Sequence, residues 1–253
     1  MHGNAAKNAY NVVLEELLAR VSAGSVLDAP CGGGFLANRM SDAGLDVIGV
    51  DIDTPELADK FEFRRADLSA ALPLPDAAVE NIVSVEGIEH LERPFEFVRE
   101  CHRVLRDDGL LIMTTPNISS LRSRWRWFLT GFHNKCKYAL DEANPTPLHH
   151  INMLSYHKLR YILHTNGFRI DKVTTNRIKA INWLYLPVVP LAYAVSRLVI
   201  AAAHDRQINR RICLEVLAQM MKPALLFGEL MIIIARKTDR NSVTVPAHIG
   251  PRH

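Results

Sequence analysis

Apolar residues along this chain follow two rhythms that alternate with each other. Residues Asn8–Val21 carry Val12, Val13, Leu17, Leu18 and Val21 at helical spacing, which predicts a leading amphipathic helix. A short apolar run, Ser25–Asp28, follows and ends in an acid. After the glycine turn Cys31–Gly34, Phe35–Asp42 reads as a helix closed by Gly44. Asp46–Asp51 is a second apolar run ending in an acid, and Phe61–Arg65 and Asn81–Val85 are the third and fourth. Pro94 opens a helix to about Arg106, with Phe97, Val98, Cys101, Val104 and Leu105 on one face. Asp107-Asp108-Gly109 predicts a turn, and Leu110–Thr115 a fifth strand stopped by Pro116. Strands alternating with helices at these lengths predict an α/β fold with a doubly wound parallel sheet covered on both faces.

Beyond that point the rhythm loosens. Asn117–Pro147 is expected to be irregular, with basic and aromatic residues interleaved. Ser155 is placed to cap a helix ended by Asn166-Gly167, and Phe168–Thr175 reads as a sixth strand. Glu229–Ala235 reads as the last. Between them, Leu184–Val195 is wholly apolar and Leu198–Ala203 continues it; Pro187 and Pro190 are expected to break a straight spanning helix. The organisation is therefore a core over 1–175, a hydrophobic helical insertion over 176–228, a final core strand over 229–236 and a disordered tail over 237–253.

The 253 residues, 48% hydrophobic, suffice for one full core plus a modest insertion. A net charge of +3 permits an anionic partner without demanding one, and falls short of the basic excess of a dedicated nucleic-acid binder. Cys31, Cys101, Cys136 and Cys213 show no CxxC spacing and no disulfide framework, which fits a reducing, cytoplasmic compartment. Met1–Tyr10 has no apolar run after a basic start, so no secretory signal is expected.

In an open α/β sheet, ligands bind at the carboxyl ends of the strands, near the switch point. The first such end here reads Val26-Leu27-Asp28-Ala29-Pro30-Cys31-Gly32-Gly33-Gly34. No glycine follows Gly34 at the spacing of the dinucleotide fingerprint. Asp28, ahead of the glycines, would repel a diphosphate but attract an ammonium. Asp51 suits ribose hydroxyls, since a carboxylate accepts more than one hydrogen bond.

The run VLDAPCGGG, VIGVD, RADLSAALPLPD, IVSVEGIEHL and VLRDDGLLIMTTPN resembles, in that order, the class I S-adenosylmethionine (SAM)-dependent methyltransferase superfamily, over roughly residues 24–117. The resemblance implies a seven-stranded Rossmann-like sheet and SAM as cofactor. It implies that Asp28, Gly32 and Gly34 line the methionine end, that Asp51 holds the ribose, and that Asp67 with Leu68 meets the adenine; Glu86 is expected beside the cofactor too. Pro30 stands where the family more often has glycine. The family usually joins its last two strands by a short hairpin, so residues 176–228 are an addition.

Methyl transfer from a sulfonium is an in-line displacement, so the protein chiefly aligns the acceptor and, for a hydroxyl, removes a proton. Glu86, Glu89 and His90 follow the fourth strand at i, i+3 and i+4, spacing that shares one face of a helical turn. Two carboxylates and an imidazole there could bind a divalent metal ion, with His149 or His150 as a further ligand. The E-x-x-E-H run, TTPN and a later His resemble ubiquinone-pathway and small-RNA 2′-O-methyltransferases. Direct general-base use of a histidine, with Glu89, His90 and His150 as the catalytic set, is the other functional reading, and a purely structural role the third.

Leu121–Tyr138 interleaves Arg122, Arg124, Arg126, Lys135 and Lys137 with aromatics. It reads either as a lid gripping a glycan, nucleotide or phosphorylated lipid, or as an amphipathic helix covering the sheet. Arg177, Lys179, Arg206, Arg210 and Arg211 flank the apolar insertion, as membrane-peripheral contact through 184–203 would require; a dimer interface or a capping subdomain is the alternative. The later motifs (TPNISSLRSRWRWFLTGF, HINMLS and LRYILHTNGF) resemble methyltransferases of bacterial polysaccharide and lipopolysaccharide pathways. The expected reaction is therefore O-methylation of a sugar hydroxyl, on a soluble or lipid-linked glycan, in the cytoplasm or at the inner membrane. A quinone-type phenol or an RNA ribose is the alternative acceptor, although a nucleic-acid partner is not expected at this net charge. A SAM-binding regulatory partner without turnover is the alternative class.

Overall fold

A computed structural model describes residues 6–203 and 209–238. Arg206 and the expected tail beyond Thr238 lie outside the described residues. Seven strands form one sheet: β1 Ser25–Asp28, β2 Asp46–Asp51, β3 Glu62–Arg65, β4 Val79–Val85, β5 Leu105–Pro116, β6 Phe168–Thr174 and β7 Leu230–Lys237. Their order is β3-β2-β1-β4-β5-β7-β6. The chain winds outward from β1 to β3, then returns to place β4 on the other side of β1. This reversal puts the switch point, and the ligand crevice, at the carboxyl ends of β1 and β4.

Period-two alternation divides the sheet between two cores. Leu110 and Ile112 of β5, with Ile232 and Ile234 of β7, face α1 (Ala9–Leu18) and α2 (Phe35–Asp42). Leu111, Met113, Met231 and Ile233 face α3 (Pro94–Val104) and α5 (Tyr156–Thr165). Ala9, Val13 and Leu17 of α1 are fully buried, as their helical spacing predicts. A fully buried leucine such as Leu17 contributes about 1.5–3 kcal/mol.

The sheet departs from an all-parallel one in β7, which runs antiparallel to both β5 and β6. The long connection after β6 delivers the last strand from the opposite end, and β7 slots between the two. β5 also starts five residues before the expected Leu110. Leu105 already pairs with Val79, and Asp107-Asp108-Gly109 is an irregularity within the strand, not a turn ahead of it. Asp108 has φ 60°, which marks where that edge bends. Ser155 precedes α5 without capping it; its hydroxyl bonds the His157 ring instead.

Residues 121–130, expected to be irregular or amphipathic, form α4 (Leu121–Thr130), started by the Ser120 hydroxyl accepting from Ser123 N–H at 3.3 Å. Only Leu121 and Ser123 of α4 are buried, so its aromatics do not cover the sheet. The segment between β6 and β7 contains a 3-10 stretch, Ala180–Val188, running directly into α6 (Val189–Ala202), then α7 (Arg210–Met220) and α8 (Pro223–Phe227). Pro187 and Pro190 do not interrupt the rod. They fall where the 3-10 winding ends and where α6 begins, and a first-turn proline is tolerated because its missing N–H would be unsatisfied anyway.

Candidate active site

The crevice is built from the ends of β1, β2 and β4. Asp28 ends β1, beside Gly49 of β2 and Val83 of β4. The Cys31–Gly34 turn folds back toward β2: Cys31 N–H donates to the Val50 carbonyl at 3.0 Å, and Gly32 N–H to Asp51 Oδ2 at 2.8 Å. Gly34 has φ +82°, and a Cβ there would stand 1.9 Å from the Leu57 carbonyl oxygen, so only glycine allows the close approach. Gly32 is different. A Cβ built on it meets nothing within 4 Å, so it faces the open crevice.

Pro30 is accommodated by a second glycine. A Cβ on Gly87, just after β4, would lie 2.3 Å from Pro30 Cδ, so the proline ring occupies the space that Gly87 leaves. Ala66 N–H donates to the Asp51 carbonyl at 2.9 Å, which brings the Asp67-Leu68 turn beside the end of β2. There Leu68 is buried and Asp67 exposed, with Asp67 Oδ1 accepting from Ser69 N–H. Ile52, directly after Asp51, is 41% exposed and forms an apolar wall on the same edge. The sequence reading missed Ile52, although its position next to the strand-ending acid was the available signal.

Both Asp28 carboxylate oxygens are buried without a hydrogen-bond partner. Burial, and then the nearby Asp51 charge, push the Asp28 carboxyl well above its ordinary value. Such an orphaned acid beside an open glycine turn fits an incoming ammonium group. Asp51 retains lone pairs after bonding Gly32 and Asp53. The residues present thus fit SAM. Cys31 is buried, and burial with the two acids raises its thiol, so it is turn filler and not a nucleophile.

At the end of β4, the expected shared face of Glu86, Glu89 and His90 does not form. Glu86 has φ 48° and sits outside the 3-10 turn Ile88–His90, so the helical spacing does not extend to it. Its Oε2 accepts from Ala6 N–H at 2.7 Å, and Lys135 Nζ lies 3.6 Å from Oε1. Glu89, His90 and His150 do come together, each offering one ligand atom within 4.8 Å of the others. The two imidazoles meet edge to face, 4.7 Å between centroids. His90 Nδ1 bonds the His149 carbonyl at 3.1 Å, which orients the ring and leaves Nε2 available. His149 therefore contributes its backbone and His150 its ring.

Glu89 is fully buried with no well-aligned hydrogen bond to either oxygen, although the Thr115 hydroxyl and the Glu89 N–H are near enough to hold its carboxyl down in part. Burial, assisted by the Glu86 charge, pushes its carboxyl up to about 8. Burial, with the His90 and Lys135 charges, lowers His150 to about 4, so its ring is neutral at pH 7. Lys135 was legible only as part of a basic stretch; its arrival beside Glu86 depends on the path of the 131–150 loop, which no local pattern encodes.

A methyltransferase domain model matches residues 27–113. A "probable S-adenosylmethionine-dependent methyltransferase" of Mycolicibacterium smegmatis is 32% identical over 169 residues, 64% of this chain and 58% of the relative. A ubiquinone biosynthesis O-methyltransferase of Paracidovorax citrulli is 28% identical over 111 residues, 40% of this chain and 47% of the relative. The crystal structure of a SAM-dependent methyltransferase from Archaeoglobus fulgidus superposes with a TM-score of 0.56 at 22% identity, covering 90% of this chain and 95% of that one. The fold and the glycine-and-acid crevice define a Rossmann-like methyltransferase domain. Residues 27–113 thus match a methyltransferase domain, and the chain is similar to SAM-dependent methyltransferases in sequence and has their fold. It spans about half the length of these two curated relatives.

Proposed function

We propose that this protein transfers the SAM methyl group to a hydroxyl oxygen, on a sugar of a soluble or lipid-linked glycan, in the cytoplasm at the inner membrane. The observation that carries O-methylation is Glu89, fully buried and grouped with His90 and His150 just after β4. Asp28 receives the ammonium, Gly32 lets the backbone close on the methionine chain while Gly34 packs that turn against Leu57, and Asp51 accepts from the ribose hydroxyls. Leu68 and Ile52 flank the adenine, and Asp67 accepts from its amino group. Bound there, SAM would supply a methyl group on a sulfonium, with neutral S-adenosylhomocysteine as the leaving group.

Glu89, His90 and His150 fit a divalent cation, since one oxygen and two imidazole nitrogens form a mixed donor set and leave further positions open. Such an ion would lower the pKa of a coordinated hydroxyl. A sugar hydroxyl, far less acidic than a phenol, has the greater need of that help. Glu86 serves another purpose in this reading: it ties the N-terminal segment and Lys135 over the crevice. A phenol acceptor is the second reading, favoured by the ubiquinone-pathway relative. Direct proton removal by neutral His150 is its natural companion, because a phenol gives up its proton more readily.

The test is transfer of labelled methyl from SAM to a panel of glycans and phenols, with added divalent cation or excess chelator. Transfer to glycan that chelator abolishes, with S-adenosylhomocysteine affinity unchanged, is the expected result. Full turnover in chelator would remove the metal, and transfer to phenols alone would replace the acceptor.

A further inference from the structure

A continuous run of exposed apolar side chains lies outside the methyltransferase core. The helical rod Ala180–Ala202, with mean hydropathy 1.7, is long and apolar enough to cross a membrane by length and composition. Its apolar window is 0% buried, so it is not a core helix. One stripe of the rod nevertheless rests on the body: Tyr185, Val189 and Ala192 pack against Leu121, Leu226 and Phe227. The Asn182 side-chain N–H donates to the Phe227 carbonyl beneath it. Anchored in this way over residues 182–192, with α7 beside α6, the rod leaves Leu184, Leu186, Leu191 and Leu198 exposed.

Next to it lies α4, which packs on the 3-10 half of the rod. Its Phe128 is 73% exposed, and Trp125 and Leu129 are exposed beside it. Two neighbouring elements thus present large apolar side chains to the outside. The same segments carry basic residues and no acids of their own, although Lys135, Lys172, Arg177 and Lys179 pair with acids from other elements. No acidic residue occurs between Asp108 and Asp141, where Arg122, Arg124, Arg126, Lys135 and Lys137 fall. None occurs between Asp171 and Asp205, where Lys172, Arg177, Lys179 and Arg197 fall. A chain with 27 acidic residues keeps them all out of these two stretches.

We propose that α4 and the rod Ala180–Ala202 together form an in-plane docking surface for an anionic lipid bilayer. Outward leucines, tryptophan and phenylalanine enter the acyl-headgroup boundary, and the cations of these segments outside those ion pairs, Arg122, Lys137 and Arg197, meet the phosphates. A second copy of the chain is a poorer occupant, since it would oppose one basic surface with another. The inference rests on the membrane-side location proposed above and not on the identity of the acceptor. It adds a consequence for the acceptor. β5 ends at Pro116 and α4 begins at Leu121, so the docking surface follows directly from the strand whose Thr114 hydroxyl accepts from Glu86 N–H. Docking there would bring the crevice near an amphiphile held in the bilayer.

The test is flotation of the full chain with vesicles of phosphatidylcholine alone or with 30% phosphatidylglycerol, about the mixture needed for an anionic surface. Wild type should float with the anionic vesicles, and Leu184→Asp/Leu191→Asp and Phe128→Asp should each reduce the bound fraction at least tenfold. All three changed residues are exposed, and unaltered S-adenosylhomocysteine binding checks that the fold and the cofactor site persist. Wild type that stays in the soluble fraction, or variants that float as well as wild type, would overturn the proposal. So would a stable dimer that the same substitutions dissociate. Loss of S-adenosylhomocysteine binding by wild type would instead count against the methyltransferase reading alone.

Discussion

Asp28 shows how a binding residue is carried at a cost to the empty fold. Its carboxylate is buried without partners, and burial and Asp51 raise its pKa. A buried acid with a raised folded pKa destabilises the protein at pH values above its unfolded pKa, because the folded state resists ionisation. Asp28→Asn removes that charge. The cofactor-free variant should melt at a higher temperature than wild type at pH 7, while its S-adenosylhomocysteine affinity falls at least about tenfold, or 1.4 kcal/mol. Differential scanning calorimetry and titration calorimetry together check this; a lower melting temperature would mean that the acid has an unseen partner. Gly34 sits at the opposite extreme. With φ +82° and the Leu57 carbonyl 1.9 Å from any Cβ, Gly34→Ala should cost more than about 2 kcal/mol of stability in denaturant titration. The acids and glycines of the crevice were legible because strand-ending acids and positive-φ turns are written locally. Glu86 was misplaced for the complementary reason: helical spacing was assumed across Glu86 and Gly87, where the backbone turns left-handed before the 3-10 turn begins.

At the scale of elements, the alternating rhythm located all seven strands, but it could not say which way β7 runs or what its long connection rests on. Both depend on contacts across more than fifty residues, such as Ile112 with Ile234. One side chain joins the two stems of that connection. Glu229, immediately before β7, bonds Arg177 and Lys179, which follow β6. Burial alone would raise its carboxyl, but the two cations overcome this and hold it down at about 2. A depressed folded pKa contributes stability that is fully present above the unfolded value near 4.5 and is lost as pH falls toward 2. Glu229→Gln should therefore lower stability at pH 7 by about 2 kcal/mol, or about 4–8 °C in melting temperature. The difference from wild type should close between pH 4.5 and 2. An undiminished difference at pH 2 would mean that the glutamine disrupts packing and not charge.

At the scale of the whole molecule, the crevice at the end of β4 and the apolar rod are parts of one arrangement. α4 leaves β5 beside the site and packs onto the rod, while α8 closes the space beneath both. Each basic residue near an anionic surface contributes about 1 kcal/mol, and the effect fades within a Debye length of about 8 Å at physiological salt. Attraction by the basic segments alone is thus weak and salt-sensitive, whereas burial of the outward leucines is not. Binding to anionic vesicles should weaken as salt rises but persist in 0.5 M salt, roughly the level at which screening removes most of the charge term. Turnover should follow the same logic. An acceptor carried on a lipid in vesicles should be methylated faster than its headgroup in solution, because docking confines both partners to one surface. In Leu184→Asp/Leu191→Asp that advantage should vanish while the rate on the soluble headgroup stays unchanged, since neither residue touches the crevice. An equal loss on both acceptors would show that the rod supports the catalytic fold itself, and that its exposed apolar face serves the site from within the protein instead of from a membrane.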